Sequence, residues 1–276
     1  MTNAVVYNIP AKQIDLYRGR SVIVRSAEPA ELIYCISRAV PSAIRFIQLL
    51  STQADADMFE GVAEGLPIEI LLRNPASEYA QLYDYTNLLD SHPVRVAIPV
   101  CPGFSKSVKL AVSLNFAVKL ELEQPDQLLM EELAAVLDFY LHRSYVRQPI
   151  EFFQSLLFSF YRREPVSLWE IAEEEPGQLR YITDGGEETI SRRFIGAKLD
   201  YELTEFVPRF GQALVSEKTE CHDCEFFNRC GGYFKWPDKT YKCDGVKQLF
   251  RTLQSAADEV QQDLAGLELT EVQQQS

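Results

Sequence analysis

The sequence of 276 residues has only three histidines, little positive charge and no long hydrophobic run. Polar residues interrupt apolar stretches such as 152–161 within about ten positions, whereas a membrane-spanning helix needs roughly 20 apolar residues. The first residues lack a basic flank, an apolar stretch and a small-residue cleavage site, so they do not form a secretory signal. We therefore expect a cytoplasmic protein without a membrane span.

The charge balance excludes one class of partner. Lysine and arginine total 27 against 40 aspartates and glutamates, which gives a formal net charge of −13. This excess repels a phosphate backbone, and no basic cluster interleaved with aromatic residues opposes it. Nucleic acid is therefore not an expected partner. Hydrophobic residues make up 46% of the chain, which is ordinary for a globular protein and excludes intrinsic disorder.

Five apolar runs alternate with helix-like stretches in the first half of the chain. The runs are 21–26, 43–49, 68–74, 94–100 and 116–122. This alternation predicts an α/β fold with parallel strands and right-handed crossover helices. Two architectures fit, an open doubly wound sheet and a full or partial (β/α) barrel. No dinucleotide-binding glycine motif and no P-loop follows these runs, so a nucleotide-binding interpretation lacks its anion site.

The second half of the chain is predicted to be mainly helical. Segment 126–142 carries apolar residues at helical spacing, and segment 150–163 is predicted to be another helix. Residues 169–196 are polar and contain glycines around a short strand at 179–183, which indicates a hairpin or a crossover. A helix from Asp244 to about Leu264 follows.

The polar segment is the expected domain boundary. We place a partial (β/α) barrel-like domain at residues 1–196. A small cysteine-rich domain with a C-terminal helix is placed at residues 197–276.

Four of the six cysteines lie close together, at Cys221, Cys224, Cys230 and Cys243. In a chain without an export signal, such clustering indicates a metal site rather than disulfides. Four thiolates complete a ligand set for one zinc ion or one [4Fe-4S] cluster. Structural zinc sites favour two tight C-x2-4-C pairs, and in the spacing C-x2-C-x5-C-x12-C only the first pair is tight. The spacing therefore favours iron–sulfur, with zinc and unliganded thiols as alternatives.

The segment CHDCEFFNRCGGYF, with a later YKC beside an apolar helix, resembles the cysteine-rich SPASM domain of radical SAM enzymes that modify peptides and proteins. By this resemblance Cys221, Cys224, Cys230 and Cys243 match the ligands of the second auxiliary cluster. Phe234 stands where that family places a ligand of the first auxiliary cluster. The resemblance implies one complete [4Fe-4S] site. For the preceding α/β units it implies a partial (β/α) barrel of radical SAM type.

The chain departs from that family in its catalytic motif. Radical SAM enzymes need a C-x3-C-x2-C triplet after the first barrel strand, and the residues after the run at 21–26 are SAEPAELIYCISR, with Cys35 alone. The glycine- and acid-containing motif expected after the second strand is absent from FIQLLSTQADAD. The resemblance therefore implies a relative that does not cleave S-adenosylmethionine.

These expectations combine into a non-catalytic, radical-SAM-like iron–sulfur accessory protein. It would support the modification of a ribosomally made peptide by binding that peptide or a radical SAM or other peptide-modifying enzyme, by relaying electrons, or both. An exposed edge of an incomplete barrel could take up a leader peptide as an added strand. Two alternatives remain. One is a zinc-stabilised interaction protein without a redox role, and the other is a barrel enzyme that uses the strand ends around Asn74, Cys101 and Glu121.

Overall fold

A computed structural model describes residues 5–38, 43–53 and 55–274, and in these ranges nine strands form one sheet. The strands are β1 Val6–Pro10, β2 Ser21–Ser26, β3 Ile44–Leu49, β4 Ile68–Leu71, β5 Val94–Pro99, β6 Ala117–Glu121, β7 Ile150–Glu151, β8 Leu179–Ile182 and β9 Glu188–Thr189. Their order across the sheet is β7-β6-β5-β4-β3-β2-β1-β8-β9. Neighbouring strands are parallel except for the antiparallel hairpin of β8 and β9.

The strand order decides between the two predicted architectures. From β1 to β7 every strand lies next to its predecessor, without the reversal that defines a doubly wound sheet. Right-handed crossovers then place the connecting helices on one face of the sheet, as they do in a (β/α) barrel. All five predicted runs form strands, β2 to β6, so the predicted mainly parallel α/β sheet is confirmed.

The sequence pattern misses two strands. β1 pairs in parallel with both β2 and β8, so β2 is the second strand of the sheet rather than the first. The helix predicted at 150–163 is wrong at its start, because Ile150 and Glu151 form β7 beside β6. β7 and β9, which end the strand order within the described residues, are each only two residues long.

Helices connect the strands and fill the second half of the chain. In the described ranges the α-helices are α1 Pro29–Arg38, α2 Pro75–Glu78, α3 Phe104–Ser113, α4 Gln127–His142, α5 Phe153–Arg162, α6 Leu168–Ile171, α7 Phe206–Ser216, α8 Phe227–Cys230 and α9 Asp244–Gln274. The predicted helix at 126–142 is confirmed as α4, and Asp126 caps it by accepting a hydrogen bond from the Leu129 backbone N–H at 2.9 Å. Among the described residues, no helix has the length and apolar character needed to cross a membrane.

Residues 77–91 are one of the helix-like stretches between the predicted strands, and most of them form a 3-10 helix rather than an α-helix. After α2, residues Tyr79–Asp90 form a 3-10 helix. Its buried residues Leu82, Tyr85 and Leu88 recur at every third position, which is the period of a 3-10 helix rather than of an α-helix.

Buried apolar side chains from the sheet and from residues 206–257 form one continuous core. The strands all lie before residue 197 in the described part of the chain, whereas α7, α8, α9 and the four clustered cysteines lie after it. The division between residues 196 and 197 remains a prediction.

Trp169, the second residue of α6, joins the sheet to residues 221–243, the cysteine-bearing segment. The side chain is fully buried, with its ring edge-on to Tyr233 at 4.9 Å and to Phe206 at 5.9 Å between centroids. Its Nε1–H donates to the Gly231 carbonyl at 3.1 Å. The Tyr233 hydroxyl donates to the carbonyl of Leu122, which follows β6, at 3.1 Å. These contacts fix the cysteine-bearing segment against the carboxyl ends of the strands.

The substitution Trp169→Ala should lower the free energy of unfolding by about 3–5 kcal/mol, because it leaves a cavity between the sheet and the cysteine-bearing segment. Trp169→Phe keeps an aromatic ring but removes the donor to Gly231, so we expect a smaller loss of about 1–2 kcal/mol. Urea unfolding followed by circular dichroism measures both. Tyr83→Ala is the control, because Tyr83 is 58% exposed. Equal effects of Trp169→Ala and Tyr83→Ala would contradict the role of Trp169.

Candidate functional site

The four clustered cysteines line one small cavity. Cys221 and Cys224 lie in the turns after α7, Cys230 is the last residue of α8, and Cys243 directly precedes α9. All four thiols are free. The apolar part of the cavity wall consists of Phe226, Phe227, Val246 and Phe250. The fold therefore brings together the four residues that the spacing singles out.

Two glycines shape the wall at Cys230. Gly231 and Gly232 have φ angles of 56° and 79°, in the left-handed region that favours glycine. The turn directs the backbone N–H groups of residues 232–234 to the Cys230 sulfur. Burial raises the pKa of the Cys230 thiol to about 11, and these hydrogen bonds oppose the shift because they favour the thiolate. Backbone concavities of this kind bind anions and surround many iron–sulfur sites.

Cys243 lies at the N-terminus of the long helix α9. Its carbonyl accepts the Lys247 backbone N–H at 2.8 Å, so the positive end of the helix dipole is next to the thiol. Burial raises the pKa of Cys243 to about 12, with Lys235 opposing the shift and Cys230 adding to it. Thiols in these surroundings ionise readily only when a bound metal supplies positive charge.

Two lysines and one glutamate complete the wall of the cysteine cavity. Glu220 accepts hydrogen bonds from Lys235 Nζ at Oε1 and from Lys247 Nζ at Oε2, both at 2.6 Å. Lys235 also donates to the Tyr241 carbonyl, and the Cys243 backbone N–H donates to Glu220 at 3.1 Å. Burial opposes ionisation of Glu220, but the two lysines lower its pKa to about 2. The ionised carboxylate therefore holds both ammonium groups beside the thiols.

The spread of the thiols bears on which group they could hold. In the described ranges no three histidine, cysteine, aspartate or glutamate side chains are placed to hold one metal ion. A single zinc ion requires every sulfur within about 2.3 Å of one point. A [4Fe-4S] cube binds each thiolate at a different iron and so keeps its ligands further apart. The described thiols are therefore not preassembled as a site for a single zinc ion.

A second cavity, of about 480 Å³, lies at the carboxyl ends of β1 to β6 and β8. Ligand sites commonly have volumes of about 300–1,000 Å³, and parallel (β/α) units carry them at this edge. Of the residues named for a barrel enzyme, Cys101 and Glu121 line this cavity and Asn74 does not. Burial raises the pKa of Cys101, so its thiol is a poor nucleophile.

Polar side chains form a row across the sheet, and the apolar periodicity of the sequence does not predict this row. Arg25, Gln48, Glu69 and Arg95 are successive register partners on β2, β3, β4 and β5. Gln48 donates to Glu69, which pairs with Arg95. Lys119 follows on β6 and reaches the cavity wall. The sequence does carry a signal, because each of these otherwise apolar strands contains at least one charged or amide residue.

Glu173, in the segment after α6, joins this row from outside the sheet. Its carboxylate pairs with Arg95 at 2.7 Å and with Lys119. Burial opposes ionisation, but Lys119 and Arg95 together lower the pKa of Glu173 to about 2. The network ties β4, β5 and β6 to the segment that covers the cavity.

The cavity wall also holds polar groups with unused hydrogen-bonding capacity. Ser191 Oγ and Arg193 Nη2 are buried and have no hydrogen-bond partner, and both residues line the cavity. Arg193 is fixed by its Nε–H, which donates to Glu174 at 2.7 Å. Such groups are satisfied by water or by a ligand.

Comparison with known proteins identifies a fold but no sequence relative. No protein-family model matches the chain, and no curated protein sequence matches it. A solved structure described as native anSMEcpe with bound AdoMet is 14% identical, with a TM-score of 0.54 over 91% of this chain and 88% of that chain. Native anSMEcpe with bound AdoMet and Cp18Cys peptide is 13% identical, with a TM-score of 0.57 over 91% and 89% of the two chains. At these identities the likeness shows the fold alone, a mixed α/β architecture of the radical SAM type.

The position of β1 changes where the catalytic motif of radical SAM enzymes is expected. The loop after the first strand is AKQIDLYRGR, residues 11–20, which contains no cysteine. Between the second strand and α1 lie only Ala27 and Glu28, so this segment has an acidic residue but no glycine. The C-x3-C-x2-C triplet is therefore missing at the corrected position as well.

The substitution Glu173→Gln should make the free energy of unfolding less dependent on pH in the acidic range. Because the folded state lowers the pKa of Glu173 from 4.5 to about 2, its ionisation stabilises the protein above pH 4.5, and this contribution is lost as the pH falls towards 2. We expect the variant to lose of the order of 3 kcal/mol at pH 7, and the difference from wild type to shrink below pH 4.5. Urea unfolding between pH 7 and pH 2 measures this.

Glu217→Gln is the matched control for Glu173→Gln. Glu217 pairs with Lys239 at 2.7 Å and is 49% exposed, so its loss should cost less than about 1 kcal/mol at pH 7. A difference between Glu173→Gln and wild type that stays constant from pH 7 to pH 2 would contradict the assigned ionisation.

Proposed function

We propose that this chain is a radical-SAM-like accessory protein that holds one [4Fe-4S] cluster and supports the modification of a ribosomally made peptide. Cys221, Cys224, Cys230 and Cys243 are the proposed ligands. The observation that carries the proposal is the meeting of these four free thiols at one apolar cavity. A bound cluster would supply a one-electron redox centre and a cross-link for the loop-rich segment.

The protein's own groups support an anionic cluster at this cavity. Backbone N–H groups of residues 232–234 stabilise the Cys230 thiolate, and the N-terminus of α9 stabilises that of Cys243. The aromatic rings of Phe226, Phe227 and Phe250 exclude water from the sulfurs. Four protein thiolates leave no iron open for a substrate, so the cluster would transfer electrons or stabilise the fold rather than bind substrate.

The domain assignment follows from the same features. We propose that residues 1–196 are a partial (β/α) barrel of radical SAM type and that residues 197–276 are a SPASM-like domain with a C-terminal helix. The likeness to the anSMEcpe fold over 91% of this chain supports both parts of the assignment.

The barrel part is proposed to be non-catalytic. Neither the loop at 11–20 nor the segment at 26–38 provides the three thiolates that a radical SAM cluster needs. The network of Glu69, Arg95 and Glu173 also crosses the inner face of the sheet below the cavity. The radical chemistry would therefore come from a partner, a radical SAM or other peptide-modifying enzyme.

The cavity at the carboxyl ends of the strands is the proposed peptide site. One of the solved structures of similar fold contains a peptide, Cp18Cys. In this chain Ser191 and Arg193 offer unused hydrogen-bonding groups there, and Arg73 places an exposed guanidinium at the same wall. These groups suit the carbonyl and carboxylate oxygens of a bound peptide.

Anaerobic purification after iron-replete expression should give a brown protein with about four irons and four sulfides per chain. Single Cys→Ser substitutions at positions 221, 224, 230 and 243 should each remove most of the iron and the visible absorption. Cys101→Ser is the matched control, because Cys101 lies in the other cavity and should not affect iron content. Elemental analysis and visible spectroscopy measure both quantities.

Two results would contradict this proposal. One is zinc without iron in wild-type protein from anaerobic, iron-replete cells, which would favour a zinc-stabilised interaction protein. The other is full retention of iron in the Cys243→Ser variant, which would remove the distant cysteine from the ligand set.

A further inference from the structure

The charges around the cysteine cavity do not balance among themselves. Lys235 and Lys247 both line the cavity, and they share the single carboxylate of Glu220. Two ammonium groups on one carboxylate leave one positive charge in excess. The groups on the same wall that can compensate it are the thiolates of the cysteines.

The burial of Lys235 makes this excess charge costly unless it has a partner. Its side chain is only 3% exposed, and it donates to Glu220 and to the Tyr241 carbonyl. Buried ammonium groups are retained where they are paired, since an isolated one is strongly destabilising. Lys235 lines the same cavity as the four cysteines, so its ammonium group lies on the wall that the thiols share.

Lys247 acts on the same set from α9. It extends from the first turn of the helix, four residues after Cys243, and is partly buried at 21% exposure. Its ammonium group is held at 2.6 Å by the carboxylate of Glu220, on the cavity wall that the four thiols share. Both lysines are therefore positioned beside the set of thiols.

Other charged residues near the cysteine motif do not share this position. Glu225 pairs with Arg251 at 2.7 Å, and Glu217 pairs with Lys239 at 2.7 Å. Each of these pairs is neutral and about half exposed, and none of its members lines the cavity. Among the residues that line the cavity, the excess positive charge therefore belongs to Lys235 and Lys247.

We propose that Lys235 and Lys247, held by Glu220, set the reduction potential of the metal centre, an inference that rests on the proposed iron–sulfur function. A four-thiolate cluster is an anion that becomes more negative on reduction, and nearby positive charge stabilises the reduced form. The two lysines therefore raise the potential, and Glu220 lowers it. These residues are positioned charges that act on the cluster through space, not ligands.

Redox titration with dithionite, followed by visible and EPR spectroscopy, tests this on the iron-loaded full chain. Lys235→Met and Lys247→Met should each shift the potential to more negative values, with a change of at least tenfold in the ratio of oxidised to reduced cluster at a fixed potential, or about 59 mV for one electron. Glu220→Gln should shift it in the opposite direction. Lys239→Met is the control, because Lys239 carries the same charge outside the cavity and should leave the potential unchanged.

If Lys235→Met does not fold, Lys247→Met and Glu220→Gln still test the proposal, because they should shift the potential in opposite directions. Iron-loaded variants whose potentials all equal that of wild type would overturn the role of the lysines and leave the proposed function standing. A shift in Lys239→Met as large as that in Lys247→Met would also overturn it, because the effect would then reflect overall charge. Wild-type protein without iron would overturn the proposed function itself, and this inference with it.

Discussion

The turn at Gly231 and Gly232, held between Trp169 and Leu214, is the constraint on which the arrangement of the cysteines depends. A Cβ atom on Gly232 would lie 2.4 Å from Leu214 Cδ1, and one on Gly231 would lie 3.1 Å from Trp169 Cδ1. Since both residues also have positive φ, no other residue type fits either position without strain. The turn orients the backbone N–H groups towards Cys230, and its hydrogen bond from Trp169 is one of the contacts that link the cysteine cavity to the sheet.

Tyr233 connects the two cavities through its backbone and its side chain. The backbone N–H of Tyr233 points to the Cys230 sulfur, whereas its side chain lines the cavity at the strand ends and donates to Leu122. Arg193 lies over the Tyr233 ring, with its guanidinium carbon 4.1 Å from the ring centre, and lines the same cavity. A ligand in the cavity at the strand ends would therefore contact a residue whose backbone N–H donates to the Cys230 sulfur.

Much of the architecture could be predicted from apolar periodicity, and the failures have physical reasons. β2 to β6 are mainly apolar runs, but β1 ends at Pro10 and β7 merges into the apolar stretch of α5, so neither stands out. The spacing of the four cysteines predicts that they lie close together, because residues that bind one metal centre must converge in any fold. The polar row needs strand register as well as residue type, since Glu69 and Arg95 become neighbours only when β4 and β5 pair. The charge excess at Lys235 depends on burial, which the sequence does not indicate.

The short strands at the two ends of the sheet limit how this chain can bind another molecule by strand addition. β7 and β9, which end the strand order within the described part of the chain, are each only two residues long, so a strand added there would gain only about two hydrogen bonds. Backbone pairing at a sheet edge depends little on the partner's side chains, so it gives little specificity. It can also lead identical chains to stack into fibrils. Strand addition at either end would therefore contribute little binding energy, and recognition of a partner would depend on the shape and charge of side chains.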